Sequence, residues 1–163
     1  MTDEFLRLLN QCLSSNIAIL RRSYTSITAL LADFPNTSLL LNCTGLGSLA
    51  LTDVRDTNLY PTRGQTVLVQ EPAVPIPRMY IRSPKRVHKD TTYVFPRPLG
   101  GGVILGGSRQ DGNWSSEPDM ELAKQIMGKC CRLCPELGKV EDLKVLGHGV
   151  GLRRMFFSSL ITD

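Results

Sequence analysis

The chain changes character near Leu59, and this change constrains the fold more than any other feature of the sequence. Before it, helical and strand-like patterns alternate, and after it, short runs rich in β-branched and aromatic residues are separated by proline and glycine clusters. Alternation favours a parallel sheet covered by helices, whereas the second pattern favours antiparallel strands. The sequence therefore predicts an α/β part joined to a mainly antiparallel β part.

The first part is predicted to contain two helices and two strands. The helices are Asp3–Leu13 and Thr25–Asp33, and the strands are Asn16–Leu20 and Leu39–Asn42. A parallel sheet of two short strands cannot satisfy its own edges or cover both of its faces. We therefore expect this part to need strands that the chain does not supply.

The second part is predicted to contain four strands and one longer helix. The strands are Thr66–Gln70, Met79–Ile81, Thr92–Phe95 and Val103–Leu105. Pro98–Gly102 predicts a hairpin whose glycines supply positive φ angles. The helix follows Trp114 and ends at Pro135, with an apolar face of Leu122, Ala123, Ile126, Met127, Cys130 and Leu133.

Composition excludes several classes of protein. The 163 residues, 42% of them hydrophobic, match one ordinary domain, and a net charge of +4 with mostly scattered basic residues gives little support to nucleic-acid binding. Acidic residues near the N-terminus and the lack of a long apolar run argue against a signal peptide or a membrane span. The odd number of cysteines and the lone CxxC at Cys131–Cys134 predict a reducing compartment, small buried thiols and no metal site.

Two residues in the second part are candidates for chemistry. Gly147, Gly149 and Gly151 alternate before Arg153, which predicts a strand with one bare flank where a ligand can lie close to the backbone. The Arg153 guanidinium could hold a planar carboxylate through two parallel hydrogen bonds. Tyr93, inward on an alternating strand, is typical of a core residue whose hydroxyl finds a partner at the rim.

Five separated motifs together resemble the D-amino-acid oxidase family, particularly its fungal members. They are Asn42–Gly47 (NCTGLG), Tyr60–Gln65 (YPTRGQ), Tyr93–Pro98 (YVFPRP), Ile104–Ser108 (ILGGS) followed by Asn113–Trp114, and Gly149–Arg153 (GVGLR). The resemblance spans about Asp3 to Arg153. It implies a partial, Rossmann-like FAD-binding domain at 1–59, a substrate-binding β-sheet domain at 60–146, and the start of a return to the FAD-binding domain at 147–163.

The resemblance implies an enzyme that oxidises D-amino acids with FAD and oxygen, releasing hydrogen peroxide, ammonia and a 2-oxo acid. Arg153 matches the arginine that clamps the substrate carboxylate, and Tyr93 matches the tyrosine that assists it. Met79 falls near the side-chain pocket, and Arg109 stands where some yeast enzymes have a second active-site tyrosine. Thr44 and Gly45 match the turn that approaches the flavin, and Tyr24 falls where backbone lies against the adenosine portion.

The two ends of the chain depart from the family pattern. The loop that binds the FAD pyrophosphate would precede this sequence, and the residues from about Arg154 onward differ from the family's flavin segment, so we interpret the chain as truncated. One alternative is a catalytically incompetent product, and another is a D-aspartate oxidase using Arg82, Arg109 or Lys89. The resemblance also implies a homodimer and a peroxisomal location, and a cytoplasmic location is the alternative because Ile161–Asp163 is no peroxisomal signal.

Overall fold

The computed structural model describes residues 3–15, 17–83 and 91–156 of the chain. These described residues divide into two compact units: those within 1–42 and 50–55 form one, and those within 43–49 and 56–163 form the other. The elements in chain order are α1 (Asp3–Ser14), α2 (Ile27–Asp33), β1 (Leu59–Val69), β2 (Tyr80–Arg82), β3 (Thr92–Pro96), β4 (Val103–Gly106), β5 (Gln110–Asp111), α3 (Met120–Leu133) and β6 (Val145–Phe156).

The first unit contains α1 and α2, as predicted, and the start of α2 has a local cause. The Ser26 hydroxyl accepts a hydrogen bond from the Ala29 N–H at 3.0 Å, which caps the helix. The Asp53 carboxylate accepts the N–H groups of Ile27 and Thr28 at 3.0 and 2.8 Å. These contacts satisfy N–H groups of the first helical turn and lower the pKa of Asp53. The helix begins at Ile27, two residues later than the predicted start at Thr25.

The two strands predicted for the first part are not present. None of the described residues between Ile17 and Asn42 belongs to a strand, and Asn16 lies outside the described residues. A strand exists only when a neighbour completes its ladder, and the described part of this unit offers none. The side chains of Leu39 and Leu41 are accordingly 75% and 77% exposed.

The second unit is built on a six-stranded antiparallel sheet. The order is β2-β3-β4-β1, with β5 beside the first half of β1 and β6 along its other side. The central β1 pairs with β6 over its whole length, from Leu59↔Phe156 to Val69↔Val145. The predicted strands match β1 to β4 within a few residues, except that β1 begins at Leu59 rather than Thr66.

The predicted hairpin joins β3 to β4. Arg97 donates its N–H to the Gly102 carbonyl, and Leu99, Gly100 and Gly102 have φ angles of 58, 69 and 80°. A Cβ on Gly102 would lie 2.5 Å from the Val69 carbonyl oxygen, so glycine is required there by space as well as by φ.

Helix α3 covers one face of the sheet and forms the core with it. Its N-cap is Asp119, whose carboxylate accepts from the Leu122 N–H at 3.0 Å, and it ends before Pro135 as predicted. The core consists of Val67, Val69, Ile76, Val94, Val103, Leu105, Ala123, Ile126, Met127, Cys130, Cys134 and Leu137. Because strand residues alternate between faces, the neighbours of these core residues point to the opposite face of the sheet.

Cys130 and Cys134 behave as small buried apolar residues, as predicted. Both are fully buried and have free thiols. Burial raises the pKa of Cys130 to about 12 and that of Cys134 to about 11, so both stay protonated at neutral pH. In the described ranges no group of histidine, cysteine and acidic residues is arranged to hold a metal ion, and no helix has the length and apolar character to cross a membrane.

Candidate active site

A cavity of about 270 Å³ opens on the sheet face opposite α3. It is lined by Gly64, Thr66, Tyr93, Gly149, Val150, Gly151 and Arg153. The register explains why these residues meet: Gly64 lies opposite Gly151, and Thr66 opposite Gly149, so the four share a face. The structure thus brings together Tyr93 and Arg153, which the sequence singled out from positions sixty residues apart.

Three glycines, Gly64, Gly149 and Gly151, form what we call the glycine floor of this cavity. A Cβ on Gly151 would meet nothing within 4 Å, whereas one on Gly149 would lie 2.8 Å from the Thr66 hydroxyl oxygen. The floor therefore exposes backbone that side chains would otherwise cover. The predicted bare flank of the Gly147–Arg153 strand is confirmed, and Gly64 on β1 extends it.

Arg153 reaches into the cavity from β6. In the β1–β6 ladder Arg153 pairs with Thr62. Its guanidinium lies over Gly64, where an added Cβ would be 3.2 Å from Arg153 Nη2. The side chain is exposed, so its N–H groups are available on the cavity side. A guanidinium held in this way presents a planar set of donors to an anion.

Tyr93 reaches the same cavity from β3 and is half-buried. Burial raises the pKa of its phenol above the ordinary value of 10.0, while the positive charge of Arg153 partly offsets this rise. The hydroxyl therefore remains protonated at neutral pH and can donate a hydrogen bond. Its ring stacks on Phe95 with centroids 4.6 Å apart and the planes 21° from parallel.

Met79 and Arg109, both described residues, lie outside the set that lines the cavity. Met79 precedes β2 and is 67% exposed. Arg109 donates Nε to the Asp111 carboxylate at 2.9 Å, and Thr62 donates its hydroxyl to the same carboxylate oxygen at 2.8 Å. The Arg109 side chain is thus held along the β5–β1 edge by an ion pair.

The residues that the resemblance assigns to FAD lie in two places. Thr44 and Gly45 begin a 3-10 turn at Gly45–Ala50, in which the hydroxyls of Thr44 and Ser48 are 2.8 Å apart. Gly45 has φ = 60°, and a Cβ there would meet nothing within 4 Å. This open backbone fits a turn that a planar ring system approaches closely.

Tyr24 belongs to the other unit. Its hydroxyl donates to the Asp33 carboxylate at 2.8 Å, and Arg22 donates to the same carboxylate at 3.1 Å. The hydroxyl is thereby occupied inside its own unit. This leaves the backbone of Tyr24 as the part that could contact a nucleotide.

A buried guanidinium beneath the glycine floor was not anticipated from the sequence. Arg63 is 1% exposed and donates to four oxygens, none of them a carboxylate. Its partners are the Ser115 carbonyl at 2.9 Å, Gln110 Oε1 at 2.7 Å, Gln65 Oε1 at 2.8 Å, and the Glu117 carbonyl. The alternation Arg63, Gln65, Val67, Val69 on one strand is the signal that could have placed this cation on the core side.

Gln65 extends this buried network to the start of α3. Its Oε1 accepts from the Asp119 N–H at 2.8 Å, and its Nε2 donates to the Asp119 carbonyl at 2.7 Å. Asp119 is the N-cap of α3, so two part-buried hydrogen bonds join the start of the helix to β1. The strand that carries Gly64 is therefore fixed by hydrogen bonds on the side of the sheet that faces α3.

Comparisons with known proteins agree with these observations. The family model described as FAD dependent oxidoreductase (DAO) matches residues 14–159. The chain is 36% identical over 154 residues to a D-amino-acid oxidase of Fusarium vanettenii, covering 90% of this chain and 42% of that protein. It is 38% identical over 136 residues to a D-amino-acid oxidase of Schizosaccharomyces pombe, covering 82% of this chain and 38% of that protein.

A solved structure shows the same fold. Glycine oxidase from Geobacillus kaustophilus superposes with a TM-score of 0.54 at 17% identity, covering 71% of this chain and 29% of that one. The described residues form an antiparallel sheet with helices, a fold that fits part of an FAD-dependent oxidoreductase. With a family match over most of its length, the chain belongs to the DAO family of FAD-dependent oxidoreductases.

Proposed function

We propose that this protein acts in the FAD-dependent oxidation of D-amino acids to imino acids. The observation that carries the proposal is the cavity in which Tyr93 and Arg153 meet over the glycine floor. The chain covers 42% and 38% of the two D-amino-acid oxidases to which it was compared, so their activity is a hypothesis for this chain.

In this proposal Arg153 binds the substrate carboxylate. Two parallel N–H···O bonds fix the plane of that group as well as its position. Fixing the carboxylate orients the Cα–H bond, and orientation is the main contribution that a protein makes to a cofactor's chemistry. Gly64, beneath the guanidinium, lets it lie close to the sheet.

Tyr93 donates its hydroxyl to the same carboxylate. Burial raises the pKa of the phenol above its ordinary value of 10.0, so the group is a donor at neutral pH, where Arg153 and a carboxylate would form a pair. The lining side chains include no carboxylate and no imidazole among the described residues. The cavity therefore binds and orients its ligand, and it offers no general base for removing a proton from carbon.

Thr44 and Gly45 are the residues that would hold the flavin, and the family resemblance assigns the adenosine portion to the backbone of Tyr24. When bound, FAD supplies the acceptor for the hydride of the Cα–H bond, oxygen takes the two electrons to give hydrogen peroxide, and water converts the imino acid to a 2-oxo acid and ammonia.

A neutral D-amino acid fits this site better than D-aspartate. A second substrate carboxylate needs a second free cation, and Arg109 is bonded to Asp111 outside the cavity. Among the lining residues Arg153 is the one cation that the structure describes. Lys89, considered for the same role, lies outside the described residues.

The test is to purify the chain with added FAD and to follow flavin retention and peroxide release. We expect retained yellow chromophore, and peroxide from D-alanine faster than from D-aspartate, with none from L-alanine. Arg153→Met should raise the KM for D-alanine about 100-fold or more, because two charge-assisted hydrogen bonds are lost. Flavin retention with no oxidation of any D-amino acid, or no flavin retention at all, would favour the catalytically incompetent alternative.

A further inference from the structure

The ring of Tyr93 lies across a pair of glycines on the neighbouring strand. Tyr93 is directly opposite Gly106 in the β3–β4 ladder. A Cβ on Gly106 would fall inside the van der Waals surface of the ring, against Cζ, Cε2 and the hydroxyl oxygen, and one on Gly107 would lie 2.7 Å from Cε1. Side chains on a strand normally project roughly perpendicular to the sheet. The Tyr93 ring can lie across the neighbouring strand only because Gly106 has no side chain there.

Two further contacts hold the same arrangement. Phe95, two residues along β3, stacks on the ring with centroids 4.6 Å apart. Behind the sheet the Cys130 sulfur lies 3.4 Å from the carbonyl oxygens of both Tyr93 and Gly106. The helix therefore contacts the two strands at the position where the ring and the glycine pair meet.

We propose that Gly106, with Gly107, is a positioning residue that keeps the Tyr93 ring flat on the sheet so that its hydroxyl points into the cavity shared with Arg153. This inference rests on the proposed function for its effect on substrate and on geometry alone for the placement of the ring. A methyl group at position 106 must lift the ring, because its nearest neighbours are the ring carbons and not the end of a flexible chain. The hydroxyl then moves away from the carboxylate that Arg153 holds.

The first measurement reports the ring directly and needs no activity. The chain is labelled with [ζ-¹³C]tyrosine, and the Tyr93 resonance is assigned by its loss in Tyr93→Phe. We expect Gly106→Ala to shift this resonance, while Gly128→Ala leaves it in place. Gly128 is a matched control, because a Cβ there meets only Arg132 Nη1 at an ordinary 3.7 Å and the residue lies in α3.

The second measurement is the KM for D-alanine of the FAD-loaded chain. Gly106→Ala should raise it about tenfold, similar to Tyr93→Phe, since each removes one hydrogen bond to a charged group. In a Tyr93→Ala background the same change should add nothing, because the ring that it displaces is gone. A merely structural role for Gly106 would lower activity equally in both backgrounds.

The proposal is overturned if Gly106→Ala leaves the Tyr93 resonance unchanged, or if it raises the KM as much in the Tyr93→Ala background as in the parent chain. If no variant and no parent chain oxidises D-alanine, the proposed function fails, and the resonance alone decides whether the glycine pair positions the ring. Melting curves of all variants show whether a loss comes from unfolding.

Discussion

The guanidinium of Arg153 lies over the Cα of Gly64, where a Cβ would be 3.2 Å from Nη2 and 3.9 Å from Cζ. The two residues are diagonal neighbours on adjacent strands, because Gly64 pairs with Gly151 and Arg153 pairs with Thr62. The side chain therefore runs along the sheet toward the cavity. The position of the Arg153 guanidinium therefore depends on the absence of a side chain at residue 64 of β1.

Gly64→Ala should move the Arg153 guanidinium by a few tenths of an ångström and raise the KM for D-alanine about fivefold, since charge-assisted hydrogen bonds depend on geometry. Gly64→Val should raise it much more. The matched change is Gly151→Ala, which adds a methyl group to the same cavity without touching any atom within 4 Å. Equal effects of the two alanines would indicate that cavity volume, and not displacement of Arg153, controls binding.

Arg153→Met should raise the pKa of Tyr93. The positive charge of Arg153 stabilises the phenolate, so its removal leaves burial unopposed and makes ionisation harder. The measurement is the alkaline rise in phenolate absorbance, taken as the difference between each chain and its Tyr93→Phe partner. An unchanged or lowered Tyr93 pKa in Arg153→Met would show that the two groups do not interact across the cavity.

Patterns of local periodicity accounted for much of the second unit. Helix α3 and the strands β3 and β4 could be predicted because buried apolar residues recur at the helical or the strand period. The alternating glycines before Arg153 correctly indicated a bare strand flank. The predicted strands Asn16–Leu20 and Leu39–Asn42 were wrong, because an apolar run becomes a strand only when a partner completes its ladder.

The contacts that shape the site were not readable, because they depend on register between distant strands. Tyr93 meets Gly106 because β3 and β4 pair at those positions, and Gly64 meets Arg153 across nearly ninety residues of chain. A shift of one residue would place the same side chains on opposite faces. The short strand β5, two residues long, is likewise defined by its pairing with β1 alone.

Arg63→Met should lower the free energy of unfolding by about 3 kcal/mol or more, because it removes all four hydrogen bonds that the buried guanidinium donates. Arg63→Lys should recover part of this loss, since one ammonium group cannot reach all four oxygens. Urea titration measures both. The matched control is Arg109→Met. The Arg109 side chain is 44% exposed in its pair with Asp111, so its loss should cost less than about 1 kcal/mol. Equal losses from Arg63→Met and Arg109→Met would contradict a structural role for the buried network.

Cys130 should make the fold less stable at alkaline pH. In the unfolded chain its thiol ionises near the ordinary pKa of 9.0, whereas in the folded chain burial raises the pKa to about 12. Below pH 9 both states keep the proton, so stability is unaffected; between pH 9 and 12 only the unfolded state releases it, and the free energy of unfolding falls as pH rises.

Cys130→Ala should therefore show a shallower loss of stability over this range in urea titrations at a series of pH values. Cys43→Ala, which removes an exposed thiol, should keep the slope of the parent chain. If Cys130→Ala keeps that slope too, the thiol ionises as easily in the folded chain as in the unfolded one, and its burial between α3 and the Tyr93–Gly106 pair is not maintained in solution.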